Sequence, residues 1–399
     1  MNFNDFGLHP DLMNGVEALG FENATPIQVQ AIPVILKGSD MIASAQTGTG
    51  KTAAFLLPII NQILSSSDRD SIQALIIVPT RELAIQIDQQ MEGLSYFCQV
   101  SSLAVYGGND GGSFTQEKNA LSQGADMIIC TPGRMISHLA QNYVKTSKLK
   151  FLVLDEADRM LDMGFHEDIL KIISYLPEKR QNLMFSATMP DQIRVLARKV
   201  LNNPFEINIA ASKPAEKILQ IAYVVYDNQK IPLVLYLLGN QKAKSVLIFC
   251  STKSSAKALS RELKLSNLAV EDIHSDLDQV NREKVLMDFK NKKLNILVAT
   301  DILSRGIDIE DIELIVNFDV PQDGEDYIHR IGRTARADAD GVAITLISER
   351  DQGKFAVIEK LLEKEVYKGK VPIQFGDAPT YNPNSKRKTF KKFGRKKNK

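Results

Sequence analysis

The segment "DMIASAQTGTGKTAAFLLPIINQIL" (Asp40 to Leu64) joins a short apolar run, a loop that contains glycine, and a longer apolar stretch. The first part has the length of a β-strand, and the last part is long enough to form a helix. Continuous apolar strands that alternate with helices are typical of a parallel sheet covered on both faces. This segment therefore predicts an α/β fold.

The same alternation continues on both sides of a polar stretch, "ASKPAEK" (Ala211 to Lys217). Strand-like runs precede it at ALIIVP, SLAVYGG, DMIICTPG, FLVLDEAD and NLMFSAT, and they follow it at SVLIFC, LAVEDIHSDL, LNILVATD, LIVNFDVP and GVAITLI. A chain of 399 residues has room for two such domains. We predict a domain over 1–210 with its sheet at about 25–208, a linker over 211–217, a second domain over 218–370, and a tail over 371–399.

Composition favours an ordinary globular protein, because 44% of the residues are hydrophobic and 24% are charged. No run of about 18 apolar residues occurs and the first residues do not resemble a secretory signal, so we expect a cytosolic location. Cys98, Cys130 and Cys250 lie far apart in apolar stretches. This spacing fits neither a metal site nor a disulfide framework, and it predicts buried thiols without a chemical role.

The last fourteen residues, "KRKTFKKFGRKKNK" (Lys386 to Lys399), contain nine Lys or Arg and no Asp or Glu. Such a segment cannot form a core, and Phe390 and Phe393 are interleaved with the basic residues. It is typical of a disordered arm that binds polyanions. A solvated tail that only raises solubility is the alternative.

The loop "AQTGTGKT" (Ala45 to Thr52) resembles the phosphate-binding pattern G-x-x-x-x-G-K-[ST], except that alanine stands at the first glycine position. Gly48 and Gly50 permit the turn and the close approach of backbone N–H groups to oxygens, and Lys51 and Thr52 follow at the start of a helix. We predict a nucleotide phosphate site. An accidental glycine-rich turn would leave Lys51 and Thr52 unexplained.

The run "FLVLDEAD" predicts a buried strand that ends at two carboxylates, Asp155 and Glu156. In doubly wound sheets, ligands bind at the carboxyl ends of the strands. Asp155 is predicted to hold Mg²⁺ together with Thr52, and Glu156 to orient or deprotonate the attacking water. A solvated acidic turn is the alternative.

The order of these motifs carries a family resemblance. "AQTGTGKT", then "DEAD" (Asp155 to Asp158), then "SAT" (Ser186 to Thr188) is similar to the DEAD-box ATP-dependent RNA helicases of helicase superfamily 2, in which a loop beginning with alanine is ordinary. The resemblance runs from Phe3 to about Leu346. It implies two tandem RecA-like domains, each a mainly parallel sheet flanked by helices. It also implies RNA-stimulated ATP hydrolysis coupled to local unwinding of short duplexes or to remodelling of RNA–protein complexes.

The resemblance also implies roles for individual residues toward ATP. In "GFENATPIQ", Gln28 would bond the adenine edge, and Phe3 would stack on the base. Asp308 would contact the ribose, and Arg333 and Arg336 would act on the γ-phosphate as arginine fingers.

Further motifs resemble the RNA-contacting segments of the family. The residues assigned to RNA by this resemblance are Pro79, Thr80, Arg81, Gly107, Gly108, Thr131, Arg134, Gln279, Arg282 and Thr300. These residue types are suited to gripping phosphates without reading bases. Ser186 and Thr188 are expected to couple hydrolysis to strand separation, and the basic tail is expected to assist RNA binding.

The placement of Lys51 and the arginine fingers on different domains predicts that the ATP site is complete only when the domains close. RNA that bridges both domains would favour closure. Two other interpretations remain at this level: an ATP-gated RNA clamp whose slow hydrolysis resets it, and a DNA helicase of the same superfamily. The second is disfavoured by the "GFENATPIQ" segment and by the DEAD spelling.

Overall fold

A computed structural model describes residues 1–45, 48–66, 71–107, 111–209, 218–240, 243–300, 312–322, 324–334 and 341–383. The chain divides into two compact units, a first unit that includes residues 1–209 and a second unit that includes residues 218–383. Each unit is built on a seven-stranded sheet. Two tandem α/β domains are therefore confirmed, whereas the predicted linker at 211–217 lies outside the described residues.

The first unit has a sheet in the order β3-β4-β2-β5-β6-β1-β7, and all neighbouring strands pair in parallel. Its strands are β1 (Met41–Ser44), β2 (Ala74–Ile77), β3 (Ser102–Val105), β4 (Met127–Cys130), β5 (Phe151–Leu154), β6 (Gln181–Ser186) and β7 (Phe205–Asn208). Its helices are α1 (Pro10–Ala18), α2 (Pro26–Leu36), α3 (Lys51–Leu64), α4 (Arg81–Ser95), α5 (Gly111–Gln123), α6 (Pro132–Leu139), α7 (Ala157–Asp162), α8 (His166–Ile173) and α9 (Asp191–Val200).

Helices cover both faces of this sheet, and each face has its own hydrophobic core. Phe55 of α3 packs on Phe185 of β6 on one face, with ring centroids 5.3 Å apart. Met160 of α7 and Ile193 of α9 belong to the core on the other face. The strands β2, β4 and β5 are buried along their whole length. Burial on both faces requires apolar residues at every position, which accounts for their uninterrupted apolar sequences.

The second unit repeats this design with the order β10-β11-β9-β12-β13-β8-β14, again with parallel pairing. Its strands are β8 (Ile218–Val224), β9 (Val246–Cys250), β10 (Val270–Ile273), β11 (Ile296–Thr300), β12 (Leu314–Asn317), β13 (Gly341–Ile347) and β14 (Tyr367–Gly369). Its described helices are α10 (Lys230–Asn240), α11 (Lys253–Leu265), α12 (Gln279–Lys290), α13 (Gly324–Ile331) and α14 (Gln352–Leu362).

The structure corrects the predicted start of the tail. Residues 371–383 pack on the second unit, where Val371 and Phe375 contact its core and Gln229 Nε2 donates to the carbonyls of Phe375 and Asp377 at 2.8 Å. Tyr381 Oη donates to Glu359 Oε2 at 2.6 Å. The sequence of this stretch lacks periodicity because isolated residues make these contacts, and no continuous helix or strand face does. Residues 384–399, with the basic run, lie outside the described part.

Two other sequence predictions concern burial. Cys130 and Cys250 are buried and Cys98 is partly buried, and burial raises the pKa of the Cys98 thiol to about 11, which keeps it protonated and unreactive. Among the described residues, no helix combines the length and the apolar character needed to cross a membrane.

Candidate active site and nucleic-acid interface

The phosphate-binding loop leads from β1 into α3, as the sequence predicts. Gly50 caps the N-terminus of α3 with a φ of 90°, in the left-handed region that favours glycine. A Cβ atom at this position would lie 2.5 Å from Gln28 Nε2, so the Gln28 side chain would have to move to admit any other residue. Gln28 Nε2 instead donates to the Gly50 carbonyl at 3.1 Å, while Gln28 Oε1 accepts from Thr25 N at 2.8 Å. Gln28 of α2 therefore holds the loop through this hydrogen bond. Its predicted hydrogen bond to the adenine edge stays a prediction.

Lys51 is the strongest indication that this loop binds an anion. Its side chain is 6% exposed at the first residue of α3, and its Nζ has no hydrogen-bond partner among the described residues. A buried ammonium without a partner is costly, and a helix N-terminus adds positive potential at the same point. A triphosphate would satisfy both features. Thr52 follows on α3 with a partly exposed side chain.

The two predicted catalytic carboxylates lie at the carboxyl end of β5. Asp155 is 3% exposed, and burial raises its pKa to about 6 although Lys51 opposes the shift. Glu156 adopts a left-handed backbone with φ of 51°, and its Oε2 accepts from Arg159 Nη1 at 3.0 Å. The described residues contain no cluster of three or more potential metal ligands.

Asp158, the last residue of the DEAD motif, connects this site to the SAT segment. Its Oδ2 accepts from Ala187 N at 3.1 Å and from Thr188 N at 2.9 Å. Ser186 is fully buried. Its Oγ donates to the Thr188 carbonyl at 2.7 Å and accepts from Asp158 N at 3.3 Å. The structure thus brings the predicted coupling residues into one hydrogen-bonded unit with the DEAD loop. The sequence interpretation gave Asp158 no role.

The predicted RNA residues of the first unit follow β2, β3 and β4, which are adjacent strands. Pro79 and Thr80 come after β2, and Thr80 caps α4, where its Oγ1 accepts from Leu83 N at 3.4 Å. Arg81 begins α4 and is partly exposed. Thr131 occupies the corresponding position after β4, because it directly precedes α6. Gly107 lies after β3, whereas Gly108 lies outside the described residues.

Arg134 of α6 is held in place by residues that the sequence interpretation missed. Its Nε donates to Glu117 Oε2 at 2.7 Å, and its guanidinium lies 4.7 Å from the centre of the Phe114 ring. The Phe114 ring also stacks on His138 at 4.3 Å, and His138 Nε2 lies 2.7 Å from Glu117 Oε2. Burial raises the pKa of Glu117, but His138 and Arg134 outweigh it and hold that pKa below its ordinary value. The network fixes the orientation of Arg134.

In the second unit, Thr300 is the last residue of β11 and is partly buried. Arg282 lies on α12, and its Nη2 donates to the Leu277 carbonyl at 3.4 Å. Gln279 begins α12, but its side chain lies outside the described part. Arg333 follows α13 and is 8% exposed. Asp308 and Arg336 also lie outside the described residues, so their roles stay predictions.

Arg330, three residues before Arg333, is an unpredicted structural residue of the second unit. It is 4% exposed, and its Nη1 donates to Asn317 Oδ1 at 3.0 Å and to the Asp319 carbonyl at 3.1 Å. Asp319 in turn accepts from Lys230 Nζ at 2.8 Å. The network anchors α13, which carries Arg333 at its end.

One predicted role is not supported by the structure. Phe3 is only 2% exposed, and its ring packs on Phe6 and Phe21 with centroids 6.0 Å and 6.1 Å away. An enclosed ring has no free face for a nucleotide base. Phe6 and Phe21, the two rings that pack on Phe3, are both partly exposed.

Comparisons with known proteins agree with this geometry. Residues 25–196 match the DEAD/DEAH box helicase family, and residues 229–338 match the helicase conserved C-terminal domain. The ATP-dependent RNA helicase CshA of Listeria monocytogenes is 42% identical over 381 residues, which cover 95% of this chain and 71% of CshA. The DEAD-box ATP-dependent RNA helicase RhpA of Helicobacter pylori is 40% identical, with 98% and 77% covered.

Solved structures show the same similarity. Dbp5 of S. cerevisiae bound to RNA and ADP BeF3 superposes with a TM-score of 0.82 at 30% identity, covering 92% of this chain and 95% of Dbp5. Mss116p bound to ssRNA and AMP-PNP has a TM-score of 0.82 at 26% identity, with 94% and 80% covered. The matches span both units and agree with the motif order and the site geometry. The chain therefore belongs to the DEAD/DEAH box helicase family and is an ATP-dependent RNA helicase.

Proposed function

We propose that ATP is hydrolysed around Lys51, Thr52, Asp155 and Glu156, with Mg²⁺ as the metal. The observation that carries the proposal is the buried Lys51 amine, which has no hydrogen-bond partner among the described residues and whose charge opposes the rise in the pKa of Asp155. Lys51 and the first turn of α3 bind the phosphates, while Asp155 and the Thr52 hydroxyl hold the metal. When bound, Mg²⁺ supplies positive charge that stabilises the transferring phosphoryl group.

Glu156 is proposed to position the attacking water and to accept its proton. Its left-handed backbone follows directly on β5, and Arg159 holds the carboxylate through a 3.0 Å hydrogen bond. Arg159 itself is 5% exposed, so the pair is sheltered from bulk water. A sheltered ion pair keeps its geometry better than an exposed one, which suits a group that must orient a single water.

The second unit is proposed to complete the site on closure with Arg333, Arg336 and Asp308. Arg333 is supported by its anchored position after α13 and by the fixed charge of guanidinium, which matches phosphate oxygens with several donors. RNA contacts from both units would favour the closed state, so that RNA stimulates hydrolysis. Remodelling of RNA–protein complexes is proposed as a consequence of the same cycle.

ATP hydrolysis measured without nucleic acid, with RNA, and with DNA of matched length tests this proposal. We expect stimulation by RNA alone, and we expect Arg333→Lys to lower the stimulated rate by about 10³-fold, the lower end of what an arginine finger contributes in GTPases. ATP binding by the variant should change little. Stimulation by DNA to the same level, or an Arg333→Lys variant with the wild-type rate, would contradict the proposal.

The metal assignment predicts a specific pH dependence. Since the pKa of Asp155 is raised to about 6, its carboxyl is protonated below that pH and must lose a proton to bind Mg²⁺. The Mg²⁺ concentration for half-maximal binding of a fluorescent ATP analogue should be constant above pH 7 and rise toward about tenfold per unit below pH 6. Asp155→Asn is the control, because ATP titrates equally in both proteins. A wild-type curve that parallels the variant's would exclude Asp155 as the metal ligand.

The RNA surface is proposed to include Thr80, Arg81, Thr131 and Arg134 at the carboxyl ends of β2 and β4, with Arg282 and Thr300 from the second unit. Assistance by the basic tail falls on residues outside the described part and stays a prediction, as does the cytosolic location.

A further inference from the structure

A groove in the first unit lies outside every site described above. It runs between α9 and β7, encloses about 470 Å³, and has both apolar and polar walls. Its lining residues include Ile42, Arg194, Arg198, Asn202, Glu206 and Asn208. The groove begins near Met189, just after the SAT segment, and extends to the loop before β7.

The β7 strand forms an open edge along this groove. It is the last strand of its sheet and pairs only with β1. Phe205 N and Ile209 N donate to Asp40 and Ser44 carbonyls of the β1 side, at 2.8 Å and 2.9 Å. Because N–H directions alternate along a strand, the N–H groups of Glu206 and Asn208 point away from β1. An extended segment could therefore pair with β7.

The opposite wall of the groove carries two exposed arginines. Arg194 and Arg198 lie one turn apart on α9 and are exposed. Among the described residues, neither side chain makes a hydrogen bond or an ion pair. Glu206 is the one acidic residue that lines the groove. Two guanidinium groups in this arrangement favour carboxylates, which they can bind through paired hydrogen bonds.

The groove is formed by packed core residues at its base and by a hydrogen-bonded loop at one end. Ile42 and Leu201 are 6% and 8% exposed and belong to the core beneath the groove. The buried Asp40 accepts from Asn202 N at 2.8 Å through Oδ2 and from Asn182 N at 2.7 Å through Oδ1. These bonds tie the loop before β7 to β6, so the shape exists before anything binds.

We propose that this groove binds an extended acidic segment of a partner protein, which adds as a strand to the edge of β7. Alternate carboxylates of the segment would meet Arg194 and Arg198 on one face of the added strand, and the side chains between them would point to the opposite face of the sheet. The chain's own tail is excluded by charge, because it carries nine basic and no acidic residues. Single-stranded RNA is disfavoured because none of the lining residues is aromatic, so bases have nothing on which to stack.

Fluorescence anisotropy with labelled ten-residue peptides tests the proposal on the full chain. The probes are an alternating Glu-Val peptide, its Lys-Val counterpart, a Glu-Val peptide with a central proline, and a ten-nucleotide RNA. We expect the Glu-Val peptide to bind at least about tenfold more tightly than the other two peptides. Arg194→Ala with Arg198→Ala should remove that preference, whereas Lys199→Ala, which removes a neighbouring charge outside the groove, should keep it.

A second pair of variants separates charge from strand pairing. Glu206→Ala should tighten binding of the Glu-Val peptide several-fold, and Asn208→Pro, which removes an outward N–H from an edge strand, should weaken it. RNA-stimulated ATPase at the wild-type rate shows that each variant is folded. The proposal is overturned if the Glu-Val and Lys-Val peptides bind alike, if the arginine variants bind the Glu-Val peptide as wild type does, or if they lose the RNA and not the peptide.

Discussion

Replacing Lys51 with alanine is expected to lower kcat/KM for ATP by about 10²–10³, the cost of removing one preorganised donor to developing charge. The protein should nevertheless unfold at an unchanged or higher temperature. The Lys51 amine is buried without a hydrogen-bond partner among the described residues, so its removal relieves a desolvation cost that offsets the lost attraction to Asp155. Loss of activity without loss of stability is the pattern of a residue kept for a ligand.

Glu156→Gln is the matched comparison, because it keeps the size of the side chain and removes its basicity. We expect ATP binding close to wild type and hydrolysis lower by about 10²–10⁴, the usual contribution of a general base. Equilibrium binding of a fluorescent ATP analogue, steady-state ATPase and thermal unfolding on both variants distinguish the roles. A Lys51→Ala protein that hydrolyses ATP within tenfold of wild type, or one that unfolds far earlier, would contradict the assignment.

The strand order places the proposed ATP residues and the proposed RNA residues side by side at the carboxyl ends of the strands. The strands β3, β4 and β2 carry the proposed RNA residues and are contiguous, while β5, β6 and β1 carry the DEAD motif, the SAT segment and the phosphate loop. The two groups meet where β2 pairs with β5. Because β6 lies between β5 and β1, the SAT segment follows a strand that separates the proposed metal ligand, Asp155, from the loop proposed to bind phosphate.

The sequence predicts most of the strands but not their order. Uninterrupted runs such as FLVL identify a buried strand, since burial on both faces demands apolar residues throughout. Edge strands escape this signal: three of the four side chains of β7 are exposed, and β14 has only three residues. Neighbour relations between strands depend on long-range packing, which no local pattern records.

The errors at the site have the same origin. Phe3 has the spacing of a base-stacking residue, but burial is a tertiary property, and the structure encloses its ring. Glu117 and Phe114 precede Arg134 by more than a helical turn and belong to another helix, so their contacts leave no pattern in the chain. The positions of Lys51 at the start of α3 and of Asp155 and Glu156 after β5 agree with the sequence prediction, because these motifs fix residue type and local spacing together.

Asp158→Asn is expected to separate ATP hydrolysis from RNA unwinding. The Asp158 carboxylate accepts hydrogen bonds from Ala187 N and Thr188 N with a single oxygen, Oδ2. Asparagine can keep this geometry only with its carbonyl oxygen in that place, as a neutral and weaker acceptor. We expect RNA-stimulated ATPase within about tenfold of wild type and a larger loss, about 10²-fold, in unwinding of a short RNA duplex at saturating ATP.

The loss should fall on unwinding because the Asp158 carboxylate holds the backbone of Ala187 and Thr188. Among the described residues it makes no hydrogen bond to Lys51 or to the Glu156 side chain. Ser186→Ala removes the Oγ bonds at the other end of the same unit and should act in the same direction. Glu178→Gln, which removes a charge from an exposed position, should leave both activities unchanged. If Asp158→Asn lowered ATPase and unwinding by equal factors, its hydrogen bonds would support the catalytic loop alone and would not transmit hydrolysis to the RNA.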